Sequence, residues 1–550
     1  MSEIIVNKHE LLRLVGKKLS DKEIEDRLSM MGAPVDAVLE TELEVDISPN
    51  RPDWLSEQGL ARSLSSFLGI KTGLRQYKVA KERFQVVVER AVSAVRPFTA
   101  CAVVRGLKLD DEKIKEIIQV QEKLHSTYCR NRKKAAIGIY PLEKIRFPIT
   151  YTAKKPHEIV FTPLESTRVM NAAQLLTQHP TGRAYAHLLE GQPKFPVFID
   201  AKGQVLSVPP IINSEATGKV ETSTKDVFIE CSGFDLRVLK ILLNIIVTML
   251  ADMGGRIVAV DVKYPKKITT PDLTPRKMKV DVNAISRLLG IDLKEAEVRK
   301  LLERMGYGYI AGQALVPAYR ADVMHLVDLA EDIAIAYGYE NFRPEIPKVA
   351  TIGSADDFSE FQETIAGFLV GLGMLEAMTY NITNVAVQTK AMNCQVEVIE
   401  LANALTVDYS ALRAWMLPSL MEVLKANKMK DYPQKFYSIG TAFSSDPKTP
   451  TQVSEITKLG IVSAHPRADY TEIRQVVEYL LRVLGLNASF EETEHPSFIP
   501  GRVAQVKVDK QASAVMGEVH PQVITNFALE MPVAAAEIDL TELFNHLRKV

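Results

Sequence analysis

Residues 6–32 and 280–306 of this chain are two versions of one sequence. VNKHELLRLVGKKLSDKEIEDRLSMMG aligns without a gap on VDVNAISRLLGIDLKEAEVRKLLERMG. Nine positions are identical: Val6/Val280, Arg13/Arg287, Leu14/Leu288, Gly16/Gly290, Leu19/Leu293, Glu23/Glu297, Leu28/Leu302, Met31/Met305 and Gly32/Gly306. Unrelated segments of ordinary composition would share roughly one or two. The pattern predicts a short strand, then a helix stopped by Gly16 or Gly290, since glycine accepts the left-handed cap conformation. A second helix follows. Ser20 with Glu23, and Asp292 with Glu295, have capping-box spacing. Ile24, Leu28 and Met31, or Val298, Leu302 and Met305, form its apolar face. The copies match again at Arg51-x-Asp53 and Arg320-x-Asp322, each with a glycine sixteen residues beyond the Asp (Gly69, Gly338). Two strand-flanked helical modules of common ancestry are expected, about 70 residues each.

Such a unit resembles a helix-turn-helix. A DNA-reading role conflicts with the charge, 67 basic against 68 acidic residues, a net charge of −1. There is no global basic field for nucleic acid, so any RNA contact must be local or made by a partner. The four cysteines (Cys101, Cys129, Cys231, Cys394) are far apart and form no C-x-x-C, which argues against structural zinc and a disulfide framework. The N-terminus has no signal-peptide pattern. The most apolar stretch, 241–251, is too short to span a bilayer. A soluble cytoplasmic protein is expected.

At 550 residues the chain has room for three to five domains. The expected fold class is α+β multidomain. Residues 1–75 hold the first copy. Residues 76–100 read as linker-like. From about 100 to 265, β-rich runs (CAVVRGL, KAAIGIY, VFIECSG) alternate with loops, Lys202-Gly203 marks a hairpin turn, and a helix over 236–251 closes the domain. The second copy fills about 270–345, and Pro344 and Pro347 mark a boundary. Beyond it, Phe358, Phe361, Ile365, Phe368 and Leu372 share one helix face. EAMTYNI reads as a strand, and VAQVKV and SAVMGEV as antiparallel strands.

Asp328, Glu331 and Asp332 stand at i, i+3 and i+4, within about 100° of one another on a helix, with Asp322 just ahead of it. Their mutual repulsion would be relieved by a hard divalent cation, and all-carboxylate sites suit Mg²⁺. Helix-dipole stabilisation and pairing with Arg320, Arg343 or a partner chain explain the spacing equally well. The first copy keeps Asp53 but has Gly59 and Arg62 where the second has Asp328 and Glu331, so the cluster is not a folding requirement. No H-E-x-x-H, G-x-S-x-G, Walker loop or G-x-G-x-x-G occurs. Residues 209–235 are hydroxyl-rich, bend at Pro209-Pro210 and end in a strand carrying Glu230, Cys231, Ser232 and Gly233, which suggests a small-molecule pocket. RNRKK (130–134) is the one dense basic run, either a solvated turn or a contact for RNA phosphates.

These segments resemble one family. VDISPNRPDWLSEQGLARSLSSFLG, VPPIINSEATGKVETSTKDVFIECSG, VPAYRADVMHLVDLAEDIAIAYGYENFRP and SALRAWMLPSLMEVLKAN are similar to the N-terminal, editing, metal-bearing and synthetase-like regions of phenylalanine–tRNA ligase β subunits of the archaeal and eukaryotic-cytosolic type. The resemblance spans nearly the whole chain. One departure is KFYSIG (435–440), with Ser438 where the family often has an acid. The resemblance implies a helix-turn-helix-like module over 1–75 and an editing domain over 76–268. It further implies a metal-bearing module over 269–346 and a catalytically silent class II synthetase-like antiparallel-sheet domain over 347–550. It implies an α2β2 heterotetramer that attaches phenylalanine to tRNA(Phe) with ATP and Mg²⁺, adenylation and transfer residing on α. Asp322, Asp328, Glu331 and Asp332 then match Mg²⁺ ligands at the subunit contact. Asn213, Ser214, Glu230 and Ser232 become candidates for hydrolysing mischarged Tyr-tRNA(Phe). A scaffold without editing is the first rival. A free-standing metal-dependent hydrolase and a DNA-binding regulator are weaker ones.

Overall fold

The structure, a computed structural model, describes residues 2–346, 352–509 and 511–548. It is a mixed α+β assembly of several sheets, divided into two compact units, 1–346 and 347–550. Pro344 lies in the irregular segment that ends the first unit, and Pro347 lies outside the described residues. No helix among the described residues is long and apolar enough to cross a membrane.

Both repeat copies build the same topology. In the first, the Ser2–Asn7 strand leads to helices Lys8–Val15 and Asp21–Met31. Strands Val35–Val38 and Glu42–Ile47 follow, the last being central in a three-stranded antiparallel sheet. In the second, Arg276–Lys279, Val282–Leu289, Glu295–Arg304, Gly308–Ile310 and Gln313–Val316 repeat that order, again with the last strand central. Gly16 and Gly290 stop the first helices in the left-handed conformation, at φ 82° and 69°. The Ser20–Glu23 capping box forms. The expected start at Asp292 does not. The helix begins at Glu295, and Glu297 reaches back to the Lys294 N–H at 2.9 Å. Lys294 is the aligned counterpart of Ser20. The alignment therefore outranks the local cap signal, and Asp292 lies in the connecting turn.

Each copy ends in a third helix, Glu57–Phe67 or Leu326–Tyr337. Ahead of each, the R-x-D motif closes as a two-pronged ion pair. Arg51 meets Asp53 at 3.0 and 2.8 Å, and Arg320 meets Asp322 at 2.7 and 2.6 Å.

Between the copies runs a ten-stranded sheet. Its order is Ile212–Asn213, Val205–Val208, Phe195–Ile199, Ile149–Lys154, Val79–Val88, Arg256–Lys263, Phe98–Arg105, Val227–Gly233 and Ala135–Pro141, with Lys267–Thr270 paired to Arg256–Lys263. Residues 76–100 are therefore not a linker, because Val79–Val88 lies mid-sheet, parallel to both neighbours. Its first half, VAKERF, is half-buried with Lys81 and Arg83 exposed, and this run of charges hides the strand signal. Helix Leu236–Asp252 buries its apolar surface in the core shared with the first module, and helix Asp111–Ser126 packs nearby. Hydrophobic burial drives both placements.

The second unit is a seven-stranded sheet in the order Leu375–Glu376, Gln434–Ser445, Val453–Ala464, Val533–Asp539, Gln511–Val519, Phe498–Val508, Ala488–Glu492. Only the two-residue first strand is parallel to its neighbour. VAQVKV and SAVMGEV pair antiparallel as expected. EAMTYNI does not form one strand. It splits into Leu375–Glu376 and Ile382–Thr383, which join different sheets, and Met378 between them is 95% exposed.

Candidate functional site

The two ends of the ten-stranded sheet come back toward each other. Tyr140 on the Ala135–Pro141 edge strand places its hydroxyl 2.8 Å from Ser207 Oγ and 3.3 Å from Asn213 Oδ1, both on strands at the opposite end. The same hydroxyl lies 3.2 Å from Glu230 Oε1. Beside this seam is a cavity of about 540 Å³. Isoleucines 114, 117, 137, 139 and 211 form its apolar wall, and Gln121, His125, Ser207, Asn213 and Glu230 supply polar groups. This is the makeup of a small-molecule site, apolar walls with a few placed polar groups.

Glu230 is the anomalous residue. It faces Cys101 and Gly138 on its neighbouring strands and is 2% exposed. Burial pushes its carboxyl up to about 8, against the opposing pull of the Arg96 guanidinium and the hydroxyls of Tyr140 and Ser232. It is therefore largely uncharged at neutral pH and can donate as well as accept. Its Oε2 has no hydrogen-bond partner among the described residues. Position 138 is glycine for a steric reason: a Cβ there would stand 2.2 Å from Tyr140 Oη and 2.7 Å from Glu230 Oε1.

His125 is fully engaged. Its Nε2 accepts from the Ile137 N–H at 2.9 Å, and its Nδ1 faces Glu122 at 3.4 Å. Burial lowers its pKa. With both ring nitrogens committed, it braces helix Asp111–Ser126 against the edge strand and has no lone pair for activating water.

Of the four editing candidates, Asn213 and Glu230 line the cavity. Ser214 precedes the short helix Glu215–Gly218, its side chain making no capping hydrogen bond, and is buried away from the lining. Ser232 is fully buried and accepts from Arg96 Nε at 3.2 Å. Tyr140, Ser207 and Gln121 escaped sequence reading. No local pattern marks them, because the seam exists only once the sheet curls.

The four carboxylates of the metal expectation are on or just ahead of helix Leu326–Tyr337. Arg320 holds two of them. Its guanidinium donates to Asp322 and, at 2.8 Å, to Asp332 Oδ2, which also accepts from the Tyr307 hydroxyl. Burial alone would raise Asp322, but Arg320 outweighs it and holds the carboxyl below the ordinary range. Asp328 Oδ2 accepts from the Met324 and His325 N–H groups at 2.6 Å each. Glu331 is exposed. Among the described residues no three His, Cys, Asp or Glu side chains stand in metal-holding geometry. As a donor set for Mg²⁺ the residues fit in chemistry, being all hard oxygens, and are incomplete in number. Asp328 and Glu331 have oxygens to offer, whereas Asp322 and Asp332 are committed to Arg320.

Residues 278–339 match the family model described as tRNA synthetase B5 domain, and residues 343–540 that described as phenylalanyl tRNA synthetase beta chain CLM domain. A phenylalanine–tRNA ligase beta subunit of Pyrococcus abyssi is 42% identical over 555 residues, covering 99% of this chain and 100% of that one. The Thermococcus sibiricus beta subunit is 40% identical, covering 99% of each chain. A crystal structure of an N-terminal fragment of the Pyrococcus horikoshii phenylalanyl-tRNA synthetase beta subunit superposes with a TM-score of 0.59 at 40% identity. It covers 61% of this chain and 99% of the fragment. The chain accordingly belongs to the phenylalanine–tRNA ligase beta-subunit family, and is a subunit of an aminoacyl-tRNA ligase.

Proposed function

We propose that this chain joins an α partner in a cytoplasmic α2β2 phenylalanine–tRNA ligase. There α attaches phenylalanine to tRNA(Phe) with ATP, and this chain hydrolyses Tyr-tRNA(Phe) formed in error. The seven-stranded sheet of the second unit is read as a class II synthetase-like module that serves assembly. The observation that carries the editing reading is the Glu230 end of the cavity.

Tyrosine differs from phenylalanine by one hydroxyl, and an apolar synthetic pocket rejects such an addition by only about 10². A second site that hydrogen-bonds the hydroxyl discriminates far better, because phenylalanine would leave its buried polar groups unpaired. Glu230 Oε2 is such a group. The isoleucine wall would hold the ring, with Glu230 and Asn213 meeting the phenol. With His125 committed, hydrolysis rests on positioning the ester for water and on polarising its carbonyl.

The Asp322, Asp328, Glu331 and Asp332 set remains the proposed Mg²⁺ site, completed by the partner. Asp328 and Glu331 would contribute directly, and Asp322 and Asp332 on release from Arg320. A bound ion would supply positive charge to offset these carboxylates.

The test is Tyr-tRNA(Phe) hydrolysis by the holoenzyme. Glu230→Ala is expected to slow it roughly 10²-fold, and Glu230→Gln, which keeps a neutral hydrogen-bonding group, much less. A Glu230→Ala enzyme as fast as wild type removes Glu230 from the reaction. A wild-type holoenzyme that leaves Tyr-tRNA intact favours the scaffold reading.

A further inference from the structure

RNRKK, the one dense basic run, is not absorbed by the cavity chemistry. It is the turn between helix Asp111–Ser126 and the edge strand Ala135–Pro141, the two elements that form one wall of the cavity. Three consecutive residues, Arg130, Asn131 and Arg132, are left-handed, at φ 51°, 51° and 63°. None is glycine, and such a run persists only where surrounding contacts over-determine it. Two sets of contacts do so. The turn folds back on the helix end: Arg132 N–H donates to His125 O at 3.1 Å, and Lys134 N–H to Cys129 O at 2.9 Å. The Arg132 side chain then points inward. It donates to Ile211 O at 2.8 Å and Glu122 Oε1 at 2.9 Å, and stacks 4.3 Å over the Tyr185 ring.

With Arg132 turned in, its neighbours are turned out. Arg130, Asn131 and Lys133 are exposed. Arg130 and Lys133 have no carboxylate within ion-pair distance among the described residues, whereas Arg132 is neutralised by Glu122 and Lys219, across the cavity, lies 3.6 Å from Glu215. Two unneutralised cations thus flank Arg132, which lines the cavity, on a turn whose shape is fixed. In a chain of net charge −1 they cannot borrow from a general basic field.

We propose that the 130–134 turn docks the phosphodiester backbone of a single-stranded RNA end whose esterified terminus enters the cavity. Arg130 and Lys133 contact phosphates, and Arg132 is the positioning residue that holds the turn. This rests on the editing reading, since an ester carried on RNA is what brings phosphates to this rim. Phosphate contacts fix register without reading sequence. They let a cavity selective for the amino acid act on a tRNA that the partner selects.

The experiment uses the α/β holoenzyme carrying Arg130→Ala with Lys133→Ala. Neither side chain makes a hydrogen bond or ion pair among the described residues, so the fold loses nothing. KM for Tyr-tRNA hydrolysis should rise roughly tenfold at constant kcat. The slope of log affinity against log salt should fall by about 1 per contact. The charge-preserving pair Arg130→Lys with Lys133→Arg should restore both. Removing two charges elsewhere, at exposed Lys17 and Lys18, should change neither. An unchanged KM and salt slope overturns the proposal. So does a fall in kcat alone, which would mean that the turn only shapes the cavity. If the wild-type holoenzyme does not hydrolyse Tyr-tRNA, the editing reading fails by itself. Equilibrium binding of a deacylated acceptor-stem minihelix then decides the docking: weaker binding to the double variant supports it, and equal binding overturns it.

Discussion

Glu230 concentrates the chemistry of the cavity because its strand, held between two neighbours, delivers it buried at the cavity's edge. The titration has a definite sign. Its folded-state value, about 8, lies above the ordinary 4.5. Its contribution to stability is therefore complete below about pH 4.5 and is lost as pH rises through 8. Glu230→Gln removes the ionisation and keeps the shape. Relative to wild type it should be nearly neutral at about pH 4.5 and gain stability until about pH 8, levelling off beyond, by roughly a few kcal/mol. Thermal midpoints of both proteins across that range test this, and parallel curves would refute it. Gly138→Ala is the steric counterpart. Its methyl would collide with Tyr140 and Glu230, so the variant should lose about 1–3 kcal/mol and Tyr-tRNA hydrolysis together. The sequence made Glu230 visible because a charged residue interrupts an apolar strand. Tyr140 sits in KAAIGIY, where an aromatic residue needs no special explanation. Ser214 and Ser232 read as equivalent to Asn213 in a hydroxyl-rich run, and only the folded chain separates cavity-lining Asn213 from Ser232, spent on Arg96, and Ser214, buried beyond the strand end.

Beside their shared apolar core, the first module and the sheet domain meet at a carboxyl group placed at a helix start. Glu116, on Asp111–Ser126, accepts from the Glu57 N–H at 2.9 Å and from Gln58 Nε2 at 3.1 Å, capping Glu57–Phe67 from another element. Glu57 itself accepts from the Asn7 N–H at 2.6 Å. Burial raises both carboxyls, Glu57 to about 7 and Glu116 to about 8, and each ionisation opposes the other. The joint is therefore strongest below pH 4.5 and loses stability as pH climbs through 7–8. Glu116→Ala strands a buried N–H and a buried amide, and should cost about 1–3 kcal/mol at pH 6 in urea unfolding. The loss should shrink at pH 9, where the wild-type pair is strained, and a pH-independent loss would exclude the coupling. Elements were legible in proportion to how locally they are specified. Glycine stops and apolar spacing mark the repeat helices, and Leu236–Asp252 is apolar enough to read at once. Val79–Val88 was invisible because its outer half carries Lys81, Glu82 and Arg83. EAMTYNI was over-read because β-favouring residues alone do not supply a partner strand.

At the scale of the molecule, the duplication explains what the second copy's acids do. The two copies abut: Arg304 donates to Phe67 O at 2.8 Å, Arg62 stacks 4.0 Å over the Tyr319 ring, and Arg51 Nε comes to 4.0 Å from Asp322 Oδ2. In both, the R-x-D fork is tethered to its third helix, but by different chemistry. Trp54 Nε1 donates to Ser63 Oγ at 2.7 Å in the first copy, and in the second Arg320 donates to Asp332, the residue at the matching helix position. Asp322 and Asp332 thus inherit structural tasks, while Asp328 and Glu331, where the first copy has Gly59 and Arg62, are the additions. Removing Arg320 separates the two roles. Arg320→Ala leaves Asp332 buried without a counter-charge and Asp322 with only the more distant Arg51, a loss of about 3–5 kcal/mol. If the four carboxylates hold a cation, Mg²⁺ should now replace the missing guanidinium. The variant's thermal midpoint should rise with the logarithm of Mg²⁺ concentration, much more than that of wild type, whose Arg320 already fills the place. Adding Glu331→Gln and Asp328→Asn should abolish that rise. A midpoint that ignores Mg²⁺ in the Arg320→Ala chain, with and without its α partner, would mean that Asp322 and Asp332 serve only to balance Arg320 and that Asp328 and Glu331 hold no ion.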